Sequence, residues 1–87
     1  MAMSITLAHY GVAKRDGQFA KPPVDVTKQV RKLVGPTGLA IEKVSNDGLK
    51  AGRVFPGERK RLVVRYTRKG VAQTVTALER KSLRIKG

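Results

Sequence analysis

The chain contains no cysteine. That removes disulfides, thiolate nucleophiles and Cys-based zinc or iron–sulfur sites. Small secreted domains usually rely on disulfide staples, so a reducing, cytoplasmic setting is expected. Tryptophan is also absent, and there are only two Phe and two Tyr, so Leu, Val and Ile must fill the core. No apolar stretch approaches the roughly 20 residues of a membrane-crossing helix, and no membrane span is expected. The opening "MAMSITLAHYG" has no basic leader region and no apolar run of about 7–15 residues, so a secretory signal is not expected. Met1 and Ala2 add nothing to the strand pattern that follows, and we expect them to be a cloning remnant ahead of a start at Met3. Acidic side chains are scarce: six Asp and Glu stand against 19 Lys and Arg, a formal net charge of +13.

What is present fits one small domain spanning residues 1–87. A chain this short buries only about 60–65% of its unfolded surface, so its stability is expected to be modest. A hydrophobic content of 40% with 29% charged residues is near the globular range and argues against wholesale disorder. The cationic excess repels itself in the compact state and attracts polyanions such as nucleic acid.

Residues 4–10, "SITLAHY", alternate polar Ser4 and Thr6 with apolar Ile5 and Leu7, the period of a half-buried strand. Residues 11–23 hold two Gly, two Pro and an Asp-Gly pair and read as a long surface loop. The period then changes. Val26, Val30, Leu33 and Val34 fall at i, i+4, i+7 and i+8, which predicts a short amphipathic helix over residues 26–34. Asp25 or Thr27 is expected to cap its start and Gly35 to supply the residue beyond its end, with a broken strand pair as the competing assignment. Residues 39–44 read as a second strand, followed by turns at Asn46-Asp47-Gly48 and Pro56-Gly57.

The clearest element is a hairpin. Leu62, Val64 and Tyr66 alternate with Arg61, Val63, Arg65 and Thr67, Gly70 sits where the turn needs positive φ, and Val71, Gln73, Val75 and Ala77 return. Leu83 and Ile85 close the chain as an inward-facing pair with Arg84 and Lys86 outward. About five mostly antiparallel strands and one short helix result, an α+β or mainly β domain built as a small sheet or sandwich.

Parts for an enzyme are missing. His9 is the single histidine and stands at a strand end. Ser4, Ser45 and Ser82 lack a nucleophile-elbow setting, and "GPTG" at residues 35–38 lacks the Lys and Ser/Thr of a phosphate loop. The carboxylates are scattered, and the Asn-Asp-Gly and Asp-Gly stretches lack the alternating oxygen ligands and closing Glu of a calcium loop. No enzymatic activity, metal or cofactor is expected.

The basic residues are clustered. Ten of the 19 fall between Arg59 and Lys86, with Glu79 the single acid among them. Arg59, Arg61, Arg65 and Lys69 are expected to share the outer face of the hairpin, with Arg68 beside them and Arg84 and Lys86 joining from the last strand. These seven are the candidate contacts to a polyanion, and nucleic acid is the expected partner. Arg outnumbers Lys there, which suits forked contacts to phosphate. Tyr66 faces inward while Phe19 and Phe55 sit in loops, so base stacking is not expected and recognition should be directed at the backbone. Lys28, Arg31 and Lys32 form a second basic strip on the helix. Two alternatives stand beside this reading. Charge on an edge strand can simply block edge-to-edge aggregation. The sheet edge or the loop over residues 11–23 can instead meet a protein partner or a second copy of the chain.

Taken together, Tyr10-Gly11, "VDVT" at residues 24–27 opening "VRKLV", "SNDGL" at residues 45–49, Pro56-Gly57, "KRLVVRY" at residues 60–66 and "LRI" at residues 83–85 resemble a small β-rich domain of unknown function. That domain occurs in short bacterial proteins and is similar to the C-terminal domain of a mitochondrial DnaJ-like protein. The resemblance covers residues 10–85 and implies an accessory or scaffolding module without catalytic residues. Its pattern carries an acidic Gly-Asp-Pro before the Pro-Gly turn, where this chain has "AGRVFPG" with Arg53.

Overall fold

A computed structural model describes residues 3–14, 18–36, 38–45, 48–49, 51–52 and 57–86. Its elements run β1 (Met3–Gly11), β2 (Val24–Asp25), α1 (Thr27–Lys32), β3 (Val34–Gly35), β4 (Gly38–Ile41), β5 (Arg61–Arg68), β6 (Val71–Leu78) and β7 (Leu83–Lys86). They form two antiparallel sheets, one ordered β2-β1-β5-β6 and the other β3-β4-β7. The mainly β reading with a short helix holds. The five expected strands are present, and β2 and β3 are two-residue additions.

Both sheets turn their apolar sides toward one core. Met3, Ile5, Ala8, Tyr10, Leu62, Val64, Tyr66 and Ala77 come from the first sheet, Leu39, Ile41, Leu83 and Ile85 from the second, and Val26, Val30, Val44 and Leu49 from α1 and the connections. Fully burying a Val or Leu contributes about 1.5–3 kcal/mol. A core made of such residues can therefore hold a domain of this size without disulfides.

The β5–β6 hairpin follows the alternation in its sequence. Arg61↔Leu78 through Arg68↔Val71 pair without a slip. Lys69 (φ +53°) and Gly70 (φ +79°) make the two-residue turn between them, both left-handed as a twist-matched hairpin requires. β1 departs from its alternation. Its register against β5 shifts between Ile5 and Leu7, so the inward set changes from Met3 and Ile5 to Ala8 and Tyr10, and Leu7 turns outward instead of following Ile5 into the core. At the bulge the Thr6 hydroxyl donates to Arg65 O at 3.0 Å.

The helix is shorter than the apolar stripe predicted. It spans six residues, its N-cap position is Val26 with no side-chain cap, and Leu33 is 40% exposed. Asp25 contributes differently: its Oδ1 accepts the Thr27 N–H at 2.9 Å. Gly35 is not a left-handed helix terminator, because β3 takes Val34 and Gly35 into a pairing with Leu39 and Gly38. Three Val in ten residues weaken the helix enough for that pairing to win. What α1 does is cover the edge of β1 beyond β2. Val26 N donates to Ala8 O at 2.9 Å, Ala8 N donates to Thr27 Oγ1 at 3.0 Å, and Arg31 Nε donates to Ile5 O at 2.9 Å. A basic residue of the expected helix strip is thus spent on closing a sheet edge.

The stretch over residues 11–23 is not a plain loop. Ala13 and Phe19 bridge, Ala20 N donates to Val12 O at 2.8 Å, and Lys14 N donates to Gln18 O at 2.6 Å. The second strand ends at Ile41 rather than 44. Val44 is buried beyond it, exchanging backbone bonds with Arg80 (2.7 Å) and Lys81 (2.9 Å). Gly57 is in the left-handed region at φ +77°, whereas Asn46, Asp47, Arg53, Phe55 and Pro56 lie outside the described residues.

Candidate polyanion-binding site

The outer face of the first sheet presents a ladder that its registers define. Across β1, β5 and β6 the outward rows are Gly11–Arg61–Leu78, His9–Val63–Thr76 and Leu7–Arg65–Thr74. Arg65 is exposed and Arg61 half-buried, with Val63 between them. Arg59 is exposed just ahead of β5, and Lys69 is exposed at the hairpin tip. Two of the seven predicted contacts, Arg61 and Arg65, therefore share the outer phase of β5, and Arg59 and Lys69 flank the strand at its two ends.

The other three are displaced. Arg68 falls on the inward phase of β5, and its Nη1 donates to Lys86 O at 2.6 Å, tying the hairpin to the end of the second sheet. Arg84 and Lys86 do not extend the outer face of the hairpin, because β7 pairs with β4. Both are exposed on the outer side of the second sheet, across the core from Arg61 and Arg65. β5 is an interior strand, so its charge cannot be explained as protection of a sheet edge.

Two features of this face escaped the sequence reading. Arg80 and Lys81 follow β6 in a turn and line a hollow with Arg59, Lys60, Glu58 and Glu79, at the foot of the Arg row. Arg80 is left-handed at φ +73°, a conformation that costs a non-Gly residue about 1 kcal/mol or more and here turns the chain from one sheet to the other. The second feature is aromatic. Phe19 packs edge-on against His9, with ring centroids 6.3 Å apart. It lies over Gly11, where a Cβ would come within 3.3 Å of the Phe19 ring and 3.2 Å of Pro23 Cα. Gly11 faces outward opposite Arg61, so an aromatic does stand on the basic face after all. No local pattern signals it, because Phe19 reaches the sheet through its bridge to Ala13.

Among the described residues the acids leave this row unneutralised. Glu58 pairs with Lys21 at 2.9 Å and Glu79 with Lys60 at 3.4 Å. Asp25, opposite His9, is held below the usual carboxylate range, first by the hydrogen bond from the Thr27 hydroxyl and then by that from the Thr27 N–H. Arg59, Arg61, Arg65, Lys69, Arg80 and Lys81 make no ion pair among the described residues.

Beneath the row lies a buried polar cluster. The Lys60 side chain is 5% exposed, and its ammonium donates to Glu58 O at 3.0 Å and to Glu79 Oε2 at 3.4 Å. The Lys60 N–H donates to the other Glu79 oxygen at 3.3 Å. Tyr10 Oη is buried close by, beside the Glu79 carboxylate, and meets no hydrogen-bond geometry with a partner among the described residues. Burial first, and the Glu79 charge second, push its phenol from 10.0 up to about 12. A raised pKa favours the protonated form on folding, so this contribution is fully present below pH 10 and is lost as pH rises toward about 12. Tyr10→Phe removes the unpaired hydroxyl. We expect it to leave urea stability at pH 7 unchanged or raised by about 1 kcal/mol, and to flatten the decline between pH 10 and about 12. A loss of about 1 kcal/mol or more at pH 7 would show that the hydroxyl has a partner.

No helix is long and apolar enough to cross a membrane among the described residues. No family model, no curated protein and no solved structure matches this chain.

Proposed function

We propose that the protein is a non-enzymatic binding module that holds a nucleic-acid backbone on the outer face of its first sheet. The observation that carries this reading is the row Arg59, Arg61, Arg65 and Lys69, unneutralised and continued by Arg80 and Lys81. At about 3.3 Å per residue the row spans about 33 Å, close to the 38 Å long axis of the molecule and to one turn of a duplex. Forked Arg side chains suit phosphate, and Phe19 with His9 offers a ring surface that a base of a single strand can meet. The recognition proposed is of backbone and charge.

Fluorescence anisotropy with labelled single-stranded and duplex oligonucleotides at about 50 and 200 mM salt tests this. Six neutralised phosphates on a duplex give a slope of log K against log salt of about −5. Absence of binding at the lower salt, or affinity indifferent to salt, overturns the reading. A second reading, a protein-interaction or scaffolding module with no nucleic-acid role, is favoured by a different observation: the free edge of the first sheet carries no charge.

A further inference from the structure

β6 is the last strand of its sheet, and among the described residues nothing pairs beyond it. The register of the hairpin determines which of its backbone groups are free. With a two-residue turn, Arg68 and Val71 exchange hydrogen bonds, and the exchanging pairs recur at 66/73, 64/75 and 62/77. The Glu79 N–H to Lys60 O bond at 2.8 Å continues the same phase. Ala72, Thr74, Thr76 and Leu78 therefore turn their N–H and C=O groups away from β5. They form an unpaired edge from Ala72 to Leu78 that is exposed at every one of those four positions.

Natural sheets blunt such edges with Lys, Pro, bulges or a covering helix. The β1 edge is managed in that way by α1. "VAQTVTAL" has none of these devices: it contains no charged residue and no Pro, and its pairing is unbroken. Charge lies around it instead. Arg68 and Lys69 precede it, Arg80 and Lys81 follow it, and Arg61 and Arg65 stand one strand behind. Ala72, Thr74 and Thr76 are small, so the Arg65 side chain can extend over β6 toward side chains of a strand added beyond it, two interstrand spacings or about 10 Å from β5.

We propose that β6 is a strand-addition site for an extended acidic segment of another protein. Main-chain bonds to Ala72, Thr74, Thr76 and Leu78 would supply affinity, and carboxylates set against Arg65 and the basic ends of β6 would supply selectivity. A second copy of this chain is the poorer occupant. Antiparallel pairing of two β6 strands would place Arg68 and Lys69 of each beside Arg80 and Lys81 of the other, with +13 on each partner. The proposal deepens the interaction-module reading and does not depend on nucleic-acid binding.

The test uses a labelled peptide of alternating Glu and Val, a Lys-for-Glu counterpart, and the intact protein. Thr74→Pro removes one outward N–H that β5 does not use, a substitution that edge strands tolerate, whereas Thr74→Ala keeps it. We expect the acidic peptide to bind wild type and Thr74→Ala alike, Thr74→Pro to bind at least tenfold more weakly, and the Lys peptide not to bind. Amide exchange on wild type gives a readout that needs no variant: saturating peptide should slow Ala72, Thr74, Thr76 and Leu78 specifically. Three results overturn the proposal. One is no acidic-peptide binding. Another is equal binding by Thr74→Pro with displacement by an oligonucleotide, which places the peptide on the Arg row. The third is a wild-type dimer in light scattering that Thr74→Pro dissolves. Thr74→Pro leaves Arg61 and Arg65 in place, so oligonucleotide affinity should be unchanged, and the two readings can fail separately.

Discussion

Glu79→Ala is expected to be the most damaging single substitution at a polar position, lowering stability by about 3–5 kcal/mol. Lys60 is held at 5% side-chain exposure with the Glu79 carboxylate as its only counter-charge among the described residues. Removing that carboxylate leaves the ammonium with Glu58 O alone, and it also frees the Lys60 N–H that Glu79 now accepts. Glu79 is itself 23% exposed, so water entry places the loss at the lower end of the range. Lys60→Met is expected to cost less, because the carboxylate it strands can reach solvent. The double substitution Lys60→Met with Glu79→Leu should recover most of the loss, since a buried pair replaced by apolar groups of similar volume is often neutral. Urea unfolding of these proteins together with Glu79→Leu, which closes the double-mutant cycle with Lys60→Met, gives the coupling energy. If Glu79→Ala costs under about 1 kcal/mol, the pair behaves as a surface ion pair and the cluster does not organise the base of the hairpin.

What the sequence disclosed and what it concealed divide by the range of the interactions involved. The β5–β6 hairpin was legible because everything that specifies it is local: period-two alternation from Arg61 to Thr67 and a glycine at the turn. The inward placement of Leu62, Val64 and Tyr66 follows from the same pattern. β1 shows where such reading fails. "SITL" alternates without a break, yet a bulge turns Leu7 outward, and the cause lies in the pairing with β5 about sixty residues away. Pairing across the chain also decided the fate of β7. Arg84 and Lys86 were correctly read as outward, but no local feature says that β7 joins β4 rather than the hairpin. The helix boundary failed for an energetic reason: an apolar stripe of β-branched residues is a weak helix, and Val34 found better pairing with Leu39. The buried Lys60 could not have been foreseen, because its burial depends on Glu79, 19 residues later in the chain.

That displacement of Arg84 and Lys86 makes the binding proposal sharper than a statement about net charge. Arg61→Gln with Arg65→Gln and Arg84→Gln with Lys86→Gln each remove two positive charges, so both doubles fall from +13 to +11. If binding were a response to overall charge, the two would weaken equally. With the ligand on the outer face of the first sheet, the first double loses two phosphate contacts and the second loses none. We expect the Arg61/Arg65 double to weaken duplex binding on the order of 10–100-fold at about 50 mM salt and to make the slope of log K against log salt shallower by about 2. The Arg84/Lys86 double is expected to stay within about threefold of wild type, the residual reflecting long-range attraction screened beyond about 14 Å at such salt. Arg61 and Arg65 have no hydrogen-bonding side-chain role in the fold among the described residues, so both doubles should keep wild-type urea midpoints. Equal losses from the two doubles would remove the outer face as the site. A larger loss from Arg84/Lys86 would move the site to the second sheet.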